Sequence, residues 1–592
     1  MKKTIIAVAT LAAASLAQAT DTTWTSQSWT PASTGQTSWE GSSADKLIFN
    51  GTSSSNKNGD EWTNAQLFIQ GTEGNSQKST ITGGTLEFIS QNPATNDANN
   101  APGVDYNAVV LGGNSSLTID VGTLLLGDSV IDQTDKKGGD RGIRLSGSNN
   151  TLTIYADRIV SYTGDEFIHV RQGNGSSVAN IGSADRRIGY FEAHTGWGKD
   201  DYGVALLQAN EGNKVFLYAD EAVLDGSTNS QGGVIGSGGW GEVHVDANKL
   251  TINGNICGSY GTMSNADKQL ILSVRAGTLD MTGDINVGNE AKGNSNFDRN
   301  TTVKIEADVL NLKGDIKVDN NIRTGSNVKG GNISAVNLTV NKTANIIGTI
   351  IASQTDGTST VTLGGAGDAT ASSGKYEVTG KGSSIVFKDS GSWVINEWEG
   401  TDGNLTASNS VKVDVNGEVT TTSTTLNGTS TLTLNDGAKI TSDKLDGSGG
   451  TFLINTADKQ IINIGDYKNT DAQAVLSGSQ NDKYASADEA VKALEASVGS
   501  DTKLSLSAAE GAVADSWKVV DNGDGTTSVI TQANQKLEGY NTINSLAVFS
   551  WRHELNNLQK RMGELRDLNG NIGAWARVFG SETEVRRCRT GQ

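Results

Sequence analysis

The sequence predicts an all-β chain wound into a right-handed parallel β-helix (a solenoid), and three observations predict it. The first is composition. Among 592 residues there are 73 Gly, only 3 Pro, 2 Cys and 4 His, and hydrophobic residues stop at 35%. Ser, Thr, Asn and Asp are abundant, and short Val/Ile/Leu runs hold the apolar side chains. That is the make-up of many short strands parted by Gly, Asn and Asp turns. The second is a repeat between residues 213 and 319. Val243–Ile256 (VHVDANKLTINGNI) returns as Leu272–Ile285 (LSVRAGTLDMTGDI) and as Val303–Ile316 (VKIEADVLNLKGDI), with looser copies from Leu152 and Val215. The third lies inside the repeat. Apolar residues alternate, pause at Ala followed by Asp, Asn or Gly, alternate again, and stop at a glycine such as Gly283-Asp284 or Gly314-Asp315.

Alternation means a strand with one buried face. The Ala-Asx pause is a corner, because Asn, Asp and Gly tolerate left-handed backbone angles. A two-strand unit that recurs about every thirty residues cannot close a core alone, but it can when stacked on its neighbours. A sandwich would lack this self-similarity. Residues 100–465 are therefore expected to stack as parallel rungs, with Val245, Ile252, Val274, Leu279, Ile305 and Leu312 buried in columns.

In chain order, Met1–Ala19 carries Lys2-Lys3, the apolar run Ile5–Leu16 and Ala17-Gln18-Ala19. A basic start, a short apolar core and a small-x-small ending make a secretory signal peptide over 1–19, cut between Ala19 and Thr20. The apolar run is too short to span a membrane. Residues 20–100 space Trp24, Trp29, Trp39 and Trp62 among Ser/Thr/Gly-rich segments. These tryptophans would form a sugar-stacking row or cover the open end of the solenoid, and a cap is the better expectation. Leu117–Ile119, Val336–Val340, Val361–Leu363, Val411–Val415 and Leu432–Leu434 continue the rungs to about residue 465. Around Phe452 the glycines of Lys444–Asn455 allow a tight corner that Phe452 would cap. Ser486–Val498 is an inserted surface helix with a capping box, Ser486 with Glu489, and with Val491, Leu494 and Val498 on one face. Trp517–Ile530 is a hairpin turned at Asn522–Gly525.

Residues 541–568 read as a helix. Leu555, Leu558, Met562 and Leu565 fall on one face, and Arg552, Glu554, Lys560, Arg561, Glu564 and Arg566 cover the rest. At 1.5 Å per residue it would run roughly 40 Å, enough to cross a membrane ~30 Å thick. It is too charged to meet lipid, so a polar pore would have to hold it. From 569 to 592 the period falls to two: Ile572, Ala574, Ala576 and Val578 alternate with Gly573, Trp575, Arg577 and Phe579. One apolar face and one mixed face suit a membrane β-strand between lipid and lumen.

Asn556-Asn557-Leu558, Lys560–Gly563, Leu565–Asp567 and Gly573–Arg577 resemble the junction of passenger and translocator in bacterial autotransporters (type V secretion). The form is similar to that of the serine-protease autotransporters of enteric bacteria. Leu445–Phe452 resembles the L-x-G-x-G-T-F element near the end of such passengers. The resemblance implies a β-helical passenger over 20–540, with 445–530 as its C-terminal folding and junction region. It implies a pore-threading linker over 541–568, and over 569–592 only the first strand of a truncated outer-membrane β-barrel. It implies export through the periplasm to the outer membrane and cell surface of a Gram-negative cell, with the outer membrane and its barrel-assembly machinery as partners. A host-surface or cell–cell ligand is a further implied partner.

In the resembled proteases the passenger is released between two adjacent Asn of the linker, where Asn556 and Asn557 fall. The first amide attacks its own backbone carbonyl, forms a succinimide and expels the next amine, provided acidic groups of the barrel position and activate it. With one barrel strand, which leaves backbone groups unpaired in hydrocarbon, the chain as written is expected to stay uncleaved in the periplasm.

Net charge is −19 and the pI about 4.7, so nucleic acid is excluded as a partner. Cys257 and Cys588 are not paired. Gly127-Asp128-Ser129 is followed by Val130, and Asp389-Ser390-Gly391 is preceded by Lys388, so neither completes a G-D-S-G nucleophile setting. His169, His194 and His244 read as solenoid-surface histidines, and no Ser/His/Asp trio stands out. Asp521–Gly525 lacks the alternating ligands and distal Glu of a calcium loop. Asp284 and Asp315 would stack in a ladder, as any repeated turn does. The expectation is no enzyme, no cofactor and no metal: a surface adhesin or spacer. The alternatives are a barrel-less fragment, and a secreted β-helical hydrolase or polysaccharide-active enzyme, which a cluster of perturbed carboxylates in a groove would reveal.

Overall fold

The computed structural model describes residues 21–24, 37–40, 42–50, 67–69, 71, 76–89, 106–127, 140–163, 166–171, 175–195, 205–226, 233–236, 240–258, 269–288, 300–320, 333–354, 357–457, 459–468, 470–499, 501–535 and 543–552. The signal segment with Ala19 and Thr20, Trp29, Trp62, Ser129, Cys588, Asn556, Asn557 and residues 569–592 lie outside them.

Each repeat builds one rung, and its pattern dictates the shape. In the strand Gly241–Asn253, Val243, Val245, Ala247, Leu250 and Ile252 point inward, while Asn248 and Lys249 are both exposed. Two outward residues in succession switch the inward parity, and there the strand turns its corner. Gly254 then bends the chain into the short strand Ile256–Gly258, which makes the third side. Every long strand pairs in parallel with the next. Val245 aligns with Val274 and Ile305, Leu250 with Leu279 and Leu310, and Ile252 with Met281 and Leu312. On the third side Ile235, Ile256, Ile285, Ile316 and Ile350 form a column. The six residues expected inside are all buried, and the core is one continuous cluster along the axis. The protein is a right-handed parallel β-helix.

The rungs reach further in both directions than 100–465. Asp21–Trp24 pairs in parallel with Lys46–Phe49, and Lys46–Asn50 with Thr85–Ile89. Leu47 and Phe49 are buried, and Phe49 stacks on Phe88 at 4.7 Å. The region expected as a cap is therefore itself wound: its Ser/Thr-rich strands still alternate, with fewer apolar residues per turn. Trp39 packs half-buried against that core. Downstream, Gln473–Leu476 still pairs in parallel with Ser505–Ala508.

From Ser392 onward the rungs shorten, and an asparagine ladder runs beside them. Asn416 Nδ2 donates to Asn396 Oδ1 at 2.7 Å, Asn435 to Asn416 at 2.8 Å and Asn455 to Asn435 at 2.7 Å. Phe452 does not cap its rung. It is fully buried, in register with Leu432 and Ala474, and fills the core.

The helix Ala487–Val498 is the expected inserted surface helix, with Asp488, Glu489, Lys492 and Glu495 exposed. Inserted between Gln473–Leu476 and Ser505–Ala508, it lays Ala490, Val491, Leu494 and Val498 on the core. Ser486 Oγ accepts the Glu489 N–H at 3.3 Å, and the Glu489 carboxylate accepts the N–H of Ala485, one residue before the cap, at 3.1 Å. The strands Ser516–Asp521 and Thr527–Gln532 form the expected antiparallel hairpin. Trp517 anchors it, buried, with Nε1 donating to Asn481 Oδ1 at 3.0 Å. Residues 543–552 are helical.

Candidate functional site

Register brings chemistry together on the outer face of the strands Thr151–Thr163, Ile188–Thr195 and Lys214–Asp225. Tyr162, His194 and Asp225 share one column, and Arg158, Tyr190 and Glu221 another. The Tyr162 and His194 rings stack at 4.7 Å and 1°. His194 Nδ1 lies 3.0 Å from Asp225 Oδ2, and Nε2 lies 2.7 Å from Glu192 Oε1. The Tyr190 hydroxyl donates to Glu192 Oε2 at 3.0 Å, and the Arg158 guanidinium sits 4.8 Å over the Tyr190 ring.

The Asp225 hydrogen bond raises the His194 pKa, and Glu192 adds to it against the cost of burial. Burial pushes the Glu192 carboxyl upward, but its bonds to His194 and Tyr190 outweigh it and hold the group below the ordinary carboxylate range. An imidazolium with both nitrogens on carboxylates has no lone pair to act as a base. The cluster is a clamp between rungs, lying on a sheet face.

Its pH dependence follows. A histidine raised in the folded state stabilises fully below its unfolded pKa, about 6.5, and that contribution fades as pH rises through the higher folded value. His194→Gln is therefore expected to lower the melting temperature at pH 5.5 and to do so progressively less toward pH 9. Equal shifts at both ends of a thermal-melting series would contradict the clamp.

His244 repeats the theme: Nε2 lies 3.1 Å from Glu242 Oε2, Lys214 Nζ lies 2.9 Å from Glu242 Oε1, and Phe216 stacks on the imidazole at 4.8 Å. His169 departs from the surface reading. It is 6% exposed, with Nδ1 3.0 Å from Oε1 of the buried Glu166 and Nε2 3.0 Å from Asn210 Nδ2. Its strand, Ile168–Val170, is buried on both faces.

The Asp ladder is structural. Asp284 N–H donates to Asn255 Oδ1 at 2.7 Å, Asp315 N–H to Asp284 Oδ1 at 2.9 Å and Thr349 N–H to Asp315 Oδ1 at 2.8 Å. Lys317 Nζ holds the second oxygens of Asp284 and Asp315 at 2.9 and 3.1 Å. Each carboxylate thus ties one rung to the next. The preceding glycines stack as well: a Cβ on Gly283 would fall 2.2 Å from Gly254 O, and one on Gly314 would fall 2.0 Å from Gly283 O.

Ser390 lies exposed in a turn, its N–H donating to Gly365 O at 3.1 Å. Five strand steps separate its rung from that of His244, more than ~20 Å at about 4.8 Å per step. Asp521 and Asp524 accept N–H bonds from Gly523 and Thr526, as turn carboxylates do. Among the described residues no group of three His, Cys, Asp or Glu is placed to hold a metal.

No family model and no solved structure matches this chain. It is similar over a short stretch to curated proteins named Serine protease EspP, from Escherichia coli and from Escherichia coli O157:H7. Each is 49% identical over 55 residues, which covers 7% of this chain and 4% of the relative. The chain thus aligns with a small fraction of those relatives' length.

Proposed function

We propose that the chain is an autotransporter whose β-helical passenger is carried to the outer-membrane surface and displayed or released there as a non-enzymatic adhesin or structural protein. The observation that carries this reading is the continuous β-helix, closed at its C-terminal end by a hairpin. The segment with autotransporter motifs, from Asn556 on, follows that cap in the sequence. The short similarity to EspP supports the same reading. The engaged His194, Asp284 and Asp315 support a passenger without catalysis, since each serves a contact between rungs. Asn556-Asn557 is the proposed release point, and the barrel-assembly machinery the proposed partner in the membrane.

The test joins the chain to a complete translocator barrel in a Gram-negative host. A passenger antibody should label intact cells, and Asn556→Gln should abolish release into the medium while leaving labelling unchanged. The purified chain should leave casein intact and take up no serine-directed fluorophosphonate. Periplasmic retention in the presence of a full barrel would sink the display reading, and stoichiometric labelling at Ser129 or Ser390 would sink the non-enzymatic one.

A further inference from the structure

The corner of the repeat rungs carries a notch walled by charged side chains. Asp246, Arg275 and Glu306 stand in one outward column. Two residues further along, the same rungs place Asn248, Gly277 and Asp308 at the corner. Gly277 is required by the close approach of the rungs, since a Cβ there would meet Asn248 O at 2.6 Å, and it projects no side chain between Asn248 and Asp308. A notch of about 360 Å³ lies there, lined by Asn248, Gly277 and Asp308 and walled by Arg187, Asp246, Arg275 and Glu306.

The wall groups differ in how firmly they are held. Arg187 is fixed, donating to Asp246 Oδ1 and to Ala219 O, each at 2.7 Å. Asp308 is held by Lys342 at 3.0 Å. Arg275 is loose: it is 65% exposed at its side chain, 3.9 Å from Asp246 and 3.7 Å from a Glu306 that is itself 53% exposed. Those two side chains are free to turn toward a ligand.

Ligand chemistry follows from the balance of these groups. Two guanidiniums face three carboxylates, and each guanidinium already stands beside a carboxylate. A small anion or cation would meet like charge within the same wall. An apolar ligand would find nothing to bury against. What fits is a neutral molecule that donates to carboxylates and accepts from guanidinium and amide groups at once. Planar two-point groups such as Asp, Glu, Arg and Asn suit neighbouring hydroxyls. The rung spacing of about 4.8 Å sets successive groups at the span of one sugar ring.

We propose that the notch over Gly277 is a saccharide-binding site. The inference deepens the adhesin reading by naming a ligand class, and it stands on the purified chain, independent of export. The experiment is saturation-transfer NMR on the full chain with an equimolar mixture of glucose, galactose, mannose, N-acetylglucosamine and N-acetylgalactosamine. Inorganic phosphate is added as a competitor.

Transfer to at least one sugar is expected. It should fall about fivefold or more in Arg275→Gln and in Glu306→Gln, as the loss of a charge-assisted hydrogen bond implies. Both residues lie outside the core, so an unchanged circular-dichroism melt certifies the fold of each variant. No transfer to any of the five sugars would overturn the proposal. So would transfer that survives both substitutions, or displacement by phosphate. A chain that binds none of them yet labels on intact cells would remove this inference and leave display standing.

Discussion

Leu279→Asp is expected to break the solenoid in its middle. Leu279 is fully buried, in register with Leu250 below and Leu310 above. A carboxylate there would meet apolar side chains on both neighbouring rungs, and an uncompensated buried charge costs about 3–5 kcal/mol. Leu279→Ala, which leaves only a cavity, should cost roughly 2–5 kcal/mol. In a stacked array each rung is stabilised chiefly by its neighbours, so a failed rung exposes two new ends instead of unfolding the whole chain at once. Limited proteolysis should therefore cut the Asp variant within residues 269–288 and leave flanking fragments that still show β-structure. A variant that resists cleavage there and melts like the wild type would refute the columnar core.

The second large effect is expected at Gly314. Its φ is +155°, and a Cβ would fall 2.0 Å from Gly283 O. Backbone, not a yielding side chain, stands in the way. Conformational strain alone is worth about 1–3 kcal/mol, and the clash pushes apart the rungs that Asp284 and Asp315 tie together. Gly314→Ala should lower the denaturation midpoint well beyond the control Gly523→Ala. Gly523 also has positive φ, but nothing lies within 4 Å of its Cβ position, so its cost should be near ~1 kcal/mol. Equal midpoints for the two variants would show that the glycine column is not required.

The rungs were legible because their signal is short-ranged. Two-residue alternation around Val245, Val274 and Ile305, and the break at Ala-Asx, lie within fourteen residues of sequence, and stacking only repeats them. The asparagine ladder was legible in principle: Asn396, Asn416, Asn435 and Asn455 each follow a short strand ending in Ile, Val, Leu and Ile. The weak identity around them hid the period. His194 shows the limit. Glu192, two residues away on the same face, can be anticipated from the strand, but Asp225 arrives only through register with the next rung. His169 departs from the surface reading for a related reason: whether the outward face of a third-side strand is covered depends on residues distant in sequence. The notch over Gly277 had a visible sign, a Gly where the flanking repeats carry Asn248 and Asp308, but an empty corner position takes on meaning only when its neighbours' side chains are placed around it.

The direction of the inter-rung hydrogen bonds has a mechanical consequence. In a parallel β-helix they run close to the long axis, evenly spaced and slanted to the strands they join. A pull on the two ends therefore loads them in tension, strand by strand, as a zipper is loaded, and never shears a whole sheet at once. The bonds of Asp284, Asp315 and Lys317, and the linked amides from Asn396 to Asn455, act as rivets that raise the force needed at their own rungs without changing that order. Under load such a molecule lengthens in small successive steps from its ends, a tether that yields by degrees long before its centre gives way.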